Sequence, residues 1–194
     1  MKKTGKILAL SILLISIFVS GCQNDNIVSP TESDPVLRSS SIIIDESDLL
    51  PGDLSPEEEA GLIYMRMAEK LARDVYIEFG NVWNHKVFGK IGSSEQIHMD
   101  AIKALLVNYD VPDPITDDTP GVFPNSEFQD LYDGYIDQGG ESYQEALLVG
   151  KTIEEENIID LENQINFVDN MDILIVYGNL KDGSTRHLAA FSRH

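Results

Sequence analysis

Acidic and histidine residues occupy core positions of helical repeats, and this placement limits the possible folds more than any other feature of the chain. Apolar residues at steps of three and four predict a helix with one buried face. The first repeat places Glu69 in the series Leu62, Met65, Glu69, Ala72, Tyr76 and Phe79. The second places Glu95 and His98 in the series Ile91, Glu95, His98, Ile102, Leu105 and Tyr109. Residues three apart lie one above the other on a helix, so Glu95 and His98 can reach one ion.

Two later repeats have the same character. Glu154 belongs to the series Leu147, Gly150, Glu154, Ile158, Leu161 and Ile165. His187 belongs to the series Val176, Leu180, Ser184, His187 and Phe191. Burial of several ionisable groups in one core is costly unless they are paired, protonated or coordinated. A shared metal ion satisfies all of them, and the sequence therefore predicts a metal site between helices.

The N-terminus has the residue pattern of an export signal. Three lysines within the first six residues precede an apolar run over residues 7–19, which is too short to span a bilayer. Ser20 and Gly21 then lead directly into Cys22, the only cysteine of the chain. This order resembles the signal and lipobox of bacterial lipoproteins. An uncleaved anchor or an ordinary signal peptide is the alternative.

The lipoprotein resemblance implies a lipid anchor on Cys22 after removal of residues 1–21. Aspartate after the lipidated cysteine usually retains such proteins at the inner membrane, whereas this chain has Gln23. The resemblance therefore implies an outer-membrane lipoprotein of the bacterial envelope, and we expect its domain to face the periplasm. With a single cysteine the chain has no internal disulfide available, so its stability must come from packing.

The charge of the chain is strongly negative. Loss of residues 1–21 removes three lysines and no acidic residue, so the formal charge moves from −19 to −22, with 11 basic and 33 acidic residues. This charge argues against nucleic acid and anionic lipid surfaces as partners. It is compatible with cation capture, although solubility is the commoner reason for an acidic surface. The oligomeric state is not fixed by the sequence, and a homodimer stays open.

Composition separates a tether from one folded domain. Residues 22–52 are rich in Ser, Asp, Asn and Pro, which is typical of a flexible linker. Ser55, Pro56 and Glu58 then form the signature of a helix start, with Pro at the first helical position and a capping box. Residues 53–194 suffice for one domain with one core.

The domain is predicted to be all-α, since few stretches show the alternation of a strand. Four long helices are predicted at about residues 56–79, 93–109, 142–166 and 171–192. A proline-rich segment between the second and third is predicted to form a long crossover, with a short helix near residues 126–135. Two helices, a long crossover and two more helices is the connectivity of a ferritin-like four-helix bundle.

Several strings resemble ligand motifs of ferritin-like proteins. Glu69 with Tyr76 resembles the Glu-x6-Tyr pattern of rubrerythrin-type proteins, and Glu95-x-x-His98 resembles their second-helix motif. With Ile153-Glu154-Glu155 and the string from Gly183 to Leu188, these residues resemble a family of uncharacterised ferritin-like domains (domain of unknown function 2202) over about residues 55–193. The resemblance implies the fold but no established reaction. It implies a metal-ligand set of Glu69, Glu95, His98, Glu154 or Glu155, and His187.

One position departs from the general ferritin-like pattern. That pattern has Glu three residues before the last histidine, where this chain has Ser184. The remaining three carboxylates and two imidazoles suffice for one ion and leave a second underligated, unless Glu154 and Glu155 both bind or Glu58 contributes. Whether the centre holds one metal or two therefore stays open. Ser184 is also the residue that favours a rival interpretation, a non-catalytic helical module for interactions in the envelope.

The donor set favours iron or manganese, with zinc as a further candidate. Imidazole ligands move the preference away from calcium and magnesium. With iron, the resemblance implies chemistry with peroxide or oxygen, with Tyr76 hydrogen-bonding a ligand from outside the coordination shell. Metal sequestration without turnover is the third interpretation.

Each candidate ligand also has an ordinary structural explanation. Glu69 is four residues before Arg73, so the two could form an ion pair near the surface. Glu154 and Glu155 could belong to an acidic helix surface that continues through Glu156. His187 could be a core histidine bonded to a carbonyl. The geometry of the folded chain distinguishes these alternatives from a metal site, because only the metal hypothesis requires the side chains to converge.

Overall fold

A computed structural model describes residues 53–194 as five α-helices and no strand. The prediction of an all-α domain is confirmed for that part of the chain. The proposed signal peptide at residues 1–21, the lipidated Cys22 and the tether at residues 22–52 lie outside the described residues. None of the five helices combines the length and the apolar character that a membrane-spanning helix needs.

The helices account for most of the described chain. Their bounds are α1 Pro56–Trp83, α2 Lys86–Asn108, α3 Ser126–Glu141, α4 Tyr143–Ile165 and α5 Met171–Phe191. The predicted start of α1 is confirmed, because Glu58 N donates to Ser55 Oγ at 3.1 Å and Ser55 N donates to Glu58 Oε2 at 2.9 Å. The predicted bounds of α4 and α5 agree with the structure within about a residue.

Helix α2 starts earlier than the sequence predicts, which places its start at about residue 93. The helix begins at Lys86, where the His85 side chain accepts a hydrogen bond from Val87 N at 3.3 Å. The sequence predicts a connection before residue 93, but Gly89 and Gly92 lie within the helix and neither interrupts it. Gly92 lies against α1, where an added Cβ would be 3.5 Å from the Tyr76 Cβ. Tertiary packing therefore outweighs the low helix propensity of glycine.

The ends of α1 and α3 also differ from the sequence prediction. Helix α1 continues past Gly80 and ends at Trp83. The next residue, Asn84, caps the helix in a left-handed conformation with φ 47°. Helix α3 continues through Gly139, where the Phe79 ring leaves no room for a side chain. The indole of Trp83 donates to the Gly139 carbonyl at 3.1 Å. Gly139 thus permits a close approach of α3 to α1 and does not end the helix.

Helix α1 packs against α2, α3 and α4, while α5 packs against α2 and α4. The segment from 109 to 125 connects α2 to α3, and α3 itself packs on α1 and α4. The sequence predicts only a short helix near residues 126–135 in the connection between α2 and α4, whereas α3 is 16 residues long. Apolar side chains from all five helices meet in one core. Most members of the predicted apolar repeats are buried, including all the ionisable residues that they contain, whereas Ile158, Ile165 and Val176 are half-buried.

Residues 109–125, which we call the crossover segment, are held to α1 by charged and polar groups that we call the crossover network. Its members are Arg66, Lys70, Arg73, Asp74, Asp113, Asp118, Thr119 and Gly121. Lys70 and Asp74 are fully buried and form an ion pair within α1. Lys70 Nζ also donates to the Thr119 carbonyl at 3.1 Å, and Gly121 N donates to Asp74 at 3.0 Å. The network therefore anchors a proline-rich segment that has no regular secondary structure of its own.

Candidate metal centre

Five predicted ligands converge in the interior of the domain. Glu69 comes from α1, Glu95 and His98 from α2, Glu154 from α4 and His187 from α5. The three carboxylates are fully buried, and both histidines are buried with about a tenth of each side chain exposed. Convergence follows from helix phase, since each residue occupies the inward position of its apolar repeat.

The side chains form two groups that share one residue. Glu69, Glu95 and His98 form the first group, and Glu95, Glu154 and His187 form the second. Within each group, one ligand atom per residue lies within 4.8 Å of the others. Glu95 belongs to both groups because its two oxygens face different histidines. Oε2 lies 2.7 Å from His98 Nδ1, and Oε1 lies 2.7 Å from His187 Nδ1.

Most of these atoms lack the hydrogen bonds that buried polar atoms normally make. Within residues 53–194, Glu69 Oε1, both Glu95 oxygens, Glu154 Oε2 and His187 Nδ1 have no hydrogen-bonding partner. The 2.7 Å contacts of Glu95 are thus close approaches of attracting groups without the alignment of a hydrogen bond. Neighbouring ligands on an ion at about 2.1 Å would be about 3 Å apart. The unpartnered atoms and their spacing fit a metal ion.

The residues around the centre orient its side chains. The Tyr76 hydroxyl donates to Glu154 Oε1 at 2.9 Å. His187 Nε2 lies 3.1 Å from Ser94 Oγ, so the hydroxyl can accept the Nε2 proton and leave Nδ1 free as a ligand atom. Ser94 is not among the site residues predicted from the sequence. The available signal was its position directly before Glu95, in the string that resembles the second-helix motif.

Burial and attraction shift the pKa values of the group in opposite directions. Burial raises the pKa of the Glu69 and Glu154 carboxyls above the ordinary value. Burial also pushes the pKa of Glu95 upward, but contacts with His187 and His98 outweigh it and lower that pKa. For the imidazoles, burial is outweighed by carboxylates: Glu69 and Glu95 raise the pKa of His98 to about 10, and Glu154 and Glu95 raise that of His187 to about 9. The metal-free centre therefore holds several protons near neutral pH.

Other candidate ligands do not join the two groups. Glu155 is exposed on the outer face of α4, one residue away from the buried Glu154. Glu58 is occupied elsewhere, since its Oε1 accepts bonds from Asp169 N and Asn170 N, both at 3.0 Å. Glu69 does not pair with Arg73, whose guanidinium contacts other side chains of the crossover network. Ser184 is fully buried on α5, three residues before His187.

Comparison with known proteins agrees with the family predicted from the sequence. Residues 58–194 match the family described as an uncharacterized protein domain (DUF2202). The chain is 50% identical over 147 residues to uncharacterized protein MJ0754 of Methanocaldococcus jannaschii, covering 76% of this chain and 80% of the relative. The crystal structure of hypothetical protein MJ0754 superposes with a TM-score of 0.73, covering 74% of this chain and 82% of that chain. The chain therefore belongs to the DUF2202 family of uncharacterized protein domains.

Proposed function

We propose that this domain is a ferritin-like metal-binding protein that holds two divalent transition-metal ions, iron or manganese, with zinc as a further candidate. One observation carries the proposal: the two oxygens of Glu95 face two different pairs of ligands. Glu69 with His98 would hold one ion, Glu154 with His187 the other, and Glu95 would bridge them. The mixed oxygen and nitrogen donors suit these metals better than calcium or magnesium.

The packing of the helices supports a ferritin-like bundle. Helices α1, α2, α4 and α5 supply all five ligands, and each contacts two others of this set. The long connection between α2 and α4, which contains α3, would be the crossover of the bundle. In ferritin-like di-metal proteins the ligands likewise project inward from four facing helices.

The protein's own residues would bind the ions, orient the ligands and limit access of water. The Tyr76 hydroxyl fixes one oxygen of Glu154, and Ser94 fixes the ring of His187. The complete burial of the three carboxylates strengthens their attraction for a cation. Bound iron or manganese would supply redox chemistry toward oxygen or peroxide, whereas bound zinc would supply none.

We further propose that the domain is attached to the outer membrane through lipid on Cys22 and faces the periplasm. The basic and apolar N-terminus, with Ser20-Gly21 before Cys22, supports this location. Labelling with radioactive palmitate in a bacterial host tests the lipid attachment on Cys22. We expect label on the wild-type chain and none on Cys22→Ser, while label on both chains would contradict the proposal.

The direct test of the proposed function is metal content. After reconstitution and desalting, we expect about two ions of iron or manganese per purified chain, measured by elemental analysis. A chain that retains no metal would overturn the proposal. A helical interaction module without metal is not favoured, because it leaves the buried, unpartnered ligand atoms unexplained. Consumption of hydrogen peroxide by the iron-loaded chain separates redox activity from sequestration without turnover.

Metal affinity should depend steeply on pH. An ion must displace protons from Glu69 and Glu154, whose pKa values are raised by burial, and from His98 and His187. The raised histidine pKa values also mean that the metal-free protein loses stability as pH rises from 6.5 toward 9 or 10. We therefore expect the metal-dependent increase in melting temperature to grow between pH 6 and pH 9. An increase that stays constant over this range would contradict the proton displacement.

Gly183 should be required for the ion held by His98. An added Cβ at Gly183 would lie 2.6 Å from His98 Nε2, so Gly183→Ala must displace the imidazole. We expect Gly183→Ala to lose at least one of the two ions in elemental analysis. Gly178→Ala, on the same helix, is the matched control, because its Cβ would meet no atom within 4 Å among the described residues. The control should keep both ions and gain roughly 0.5–1 kcal/mol in free energy of unfolding. Full metal content in Gly183→Ala would contradict this role.

A further inference from the structure

The hydroxyl of Ser184 is buried without a partner. Its side chain is fully inaccessible, and Oγ has no hydrogen-bonding partner within residues 53–194. A helical serine or threonine commonly donates to the carbonyl four residues earlier. Thr185 does so to Lys181 at 2.8 Å and Ser93 does so to Gly89 at 2.9 Å, but Ser184 does not. An uncompensated buried hydroxyl is costly, so this donor calls for an explanation.

Ser184 lies on the face of α5 that borders the candidate metal centre. Its preceding neighbour Gly183 packs against the His98 imidazole, and His187 follows one turn later. His187 Nδ1 in turn lies 2.7 Å from Glu95 Oε1. Ser184 therefore lies on α5 between Gly183, which packs against the His98 ring, and His187.

The charges of the proposed centre do not balance. Two divalent ions carry four positive charges, and Glu69, Glu95 and Glu154 supply three negative ones. The imidazoles are neutral when they bind metal. Leaving one unit of positive charge in a fully buried site is unfavourable. One bound monoanion would supply the missing negative charge. The buried cations of the crossover network already have their own carboxylate partners.

We propose that the centre takes up one small external carboxylate of the size of formate, which Ser184 holds by a hydrogen bond from its hydroxyl. The inference rests on the proposed function, because the anion is drawn by the two ions. A carboxylate suits the position better than a spherical anion, since it offers one oxygen to the ions and a second to the Ser184 hydroxyl.

The test measures metal binding with and without such an anion. Manganese is titrated calorimetrically into the metal-free chain in sodium formate and, separately, in sodium perchlorate of equal ionic strength. We expect two ions to bind in both salts, with the second ion bound at least tenfold more tightly in formate. Two ions bound with equal affinity in both salts would overturn the anion site while leaving the proposed function intact. No binding in either salt would overturn both.

Variants at Ser184 test the role of its hydroxyl in binding the anion. Ser184→Ala should reduce the formate effect to less than threefold, because the hydrogen-bond donor is lost. Ser184→Glu should bind two ions equally well in both salts, because it supplies a carboxylate from within the chain. Thr185→Ala is the matched control on the exposed side of α5 and should keep the full formate effect. A full formate effect in Ser184→Ala would overturn the assignment to this residue. The wild-type comparison needs no variant and therefore stands even if one of them folds poorly.

Discussion

Replacing Glu95 by glutamine should abolish metal binding at both positions of the centre. The amide keeps the size of the side chain but removes the negative charge that both groups of ligands share. An ion present at 100 times its dissociation constant stabilises a protein by about 2.7 kcal/mol, so two ions contribute about 5 kcal/mol. For a domain of this size, that corresponds to a rise in melting temperature on the order of 10 °C or more. We expect the wild-type chain to show this rise with manganese and Glu95→Gln to show none.

Glu155→Gln provides the matched control for this experiment. It makes the same chemical change next to the ligand Glu154, but on the exposed face of α4. We expect its metal-dependent rise to equal that of the wild-type chain. Circular dichroism should show unchanged helix content in both variants. Equal stabilisation of Glu95→Gln and Glu155→Gln by manganese would mean that the metal binds elsewhere, on the acidic surface.

Helix phase explains why most of the candidate site could be predicted from the sequence. Glu69, Glu95, Glu154 and His187 interrupt apolar repeats at inward positions, and periodicity alone identifies such positions. The choice between Glu154 and Glu155 also depends on phase, and the apolar series had favoured Glu154. The orientation of Glu95 could not be predicted, because it depends on the direction of its two carboxylate oxygens, one toward His98 on the same helix and one toward His187 on α5.

Glycines and buried charges account for most of what the sequence did not reveal. Glycine disfavours the interior of a helix, yet Gly92 and Gly139 each permit a close helix contact with an aromatic residue of α1. Local propensity cannot distinguish these two uses of glycine, since the partner is distant in the sequence. Lys70 and Asp74 likewise look like a solvated pair on a helix surface. They are buried only because the crossover segment folds over them.

The buried pair of Lys70 and Asp74 should make the second large contribution to stability. Asp74→Asn keeps the shape of the side chain but removes the buried carboxylate that pairs with Lys70, whose other carboxylate contact is the exposed Asp118 at 3.9 Å. Removing one partner of such a pair typically costs about 3–5 kcal/mol. We expect the melting temperature of the metal-free protein to fall by roughly 10–15 °C. Limited proteolysis should also cut between 109 and 125 more readily, because Asp74 and Lys70 both bind that segment.

A second substitution distinguishes an unpaired charge from a general packing defect. Adding Lys70→Met to Asp74→Asn removes the stranded charge and keeps an unbranched side chain, so we expect the double variant to recover most of the lost stability. Asp118→Asn is the control, because this carboxylate also contacts Arg73 but its side chain is 56% exposed. Screening by solvent limits its contribution to about 0–1 kcal/mol. If the double variant is no more stable than Asp74→Asn, removal of the buried charge has not restored the free energy of unfolding. The crossover segment would then depend on the hydrogen bonds of Lys70 and Asp74 themselves.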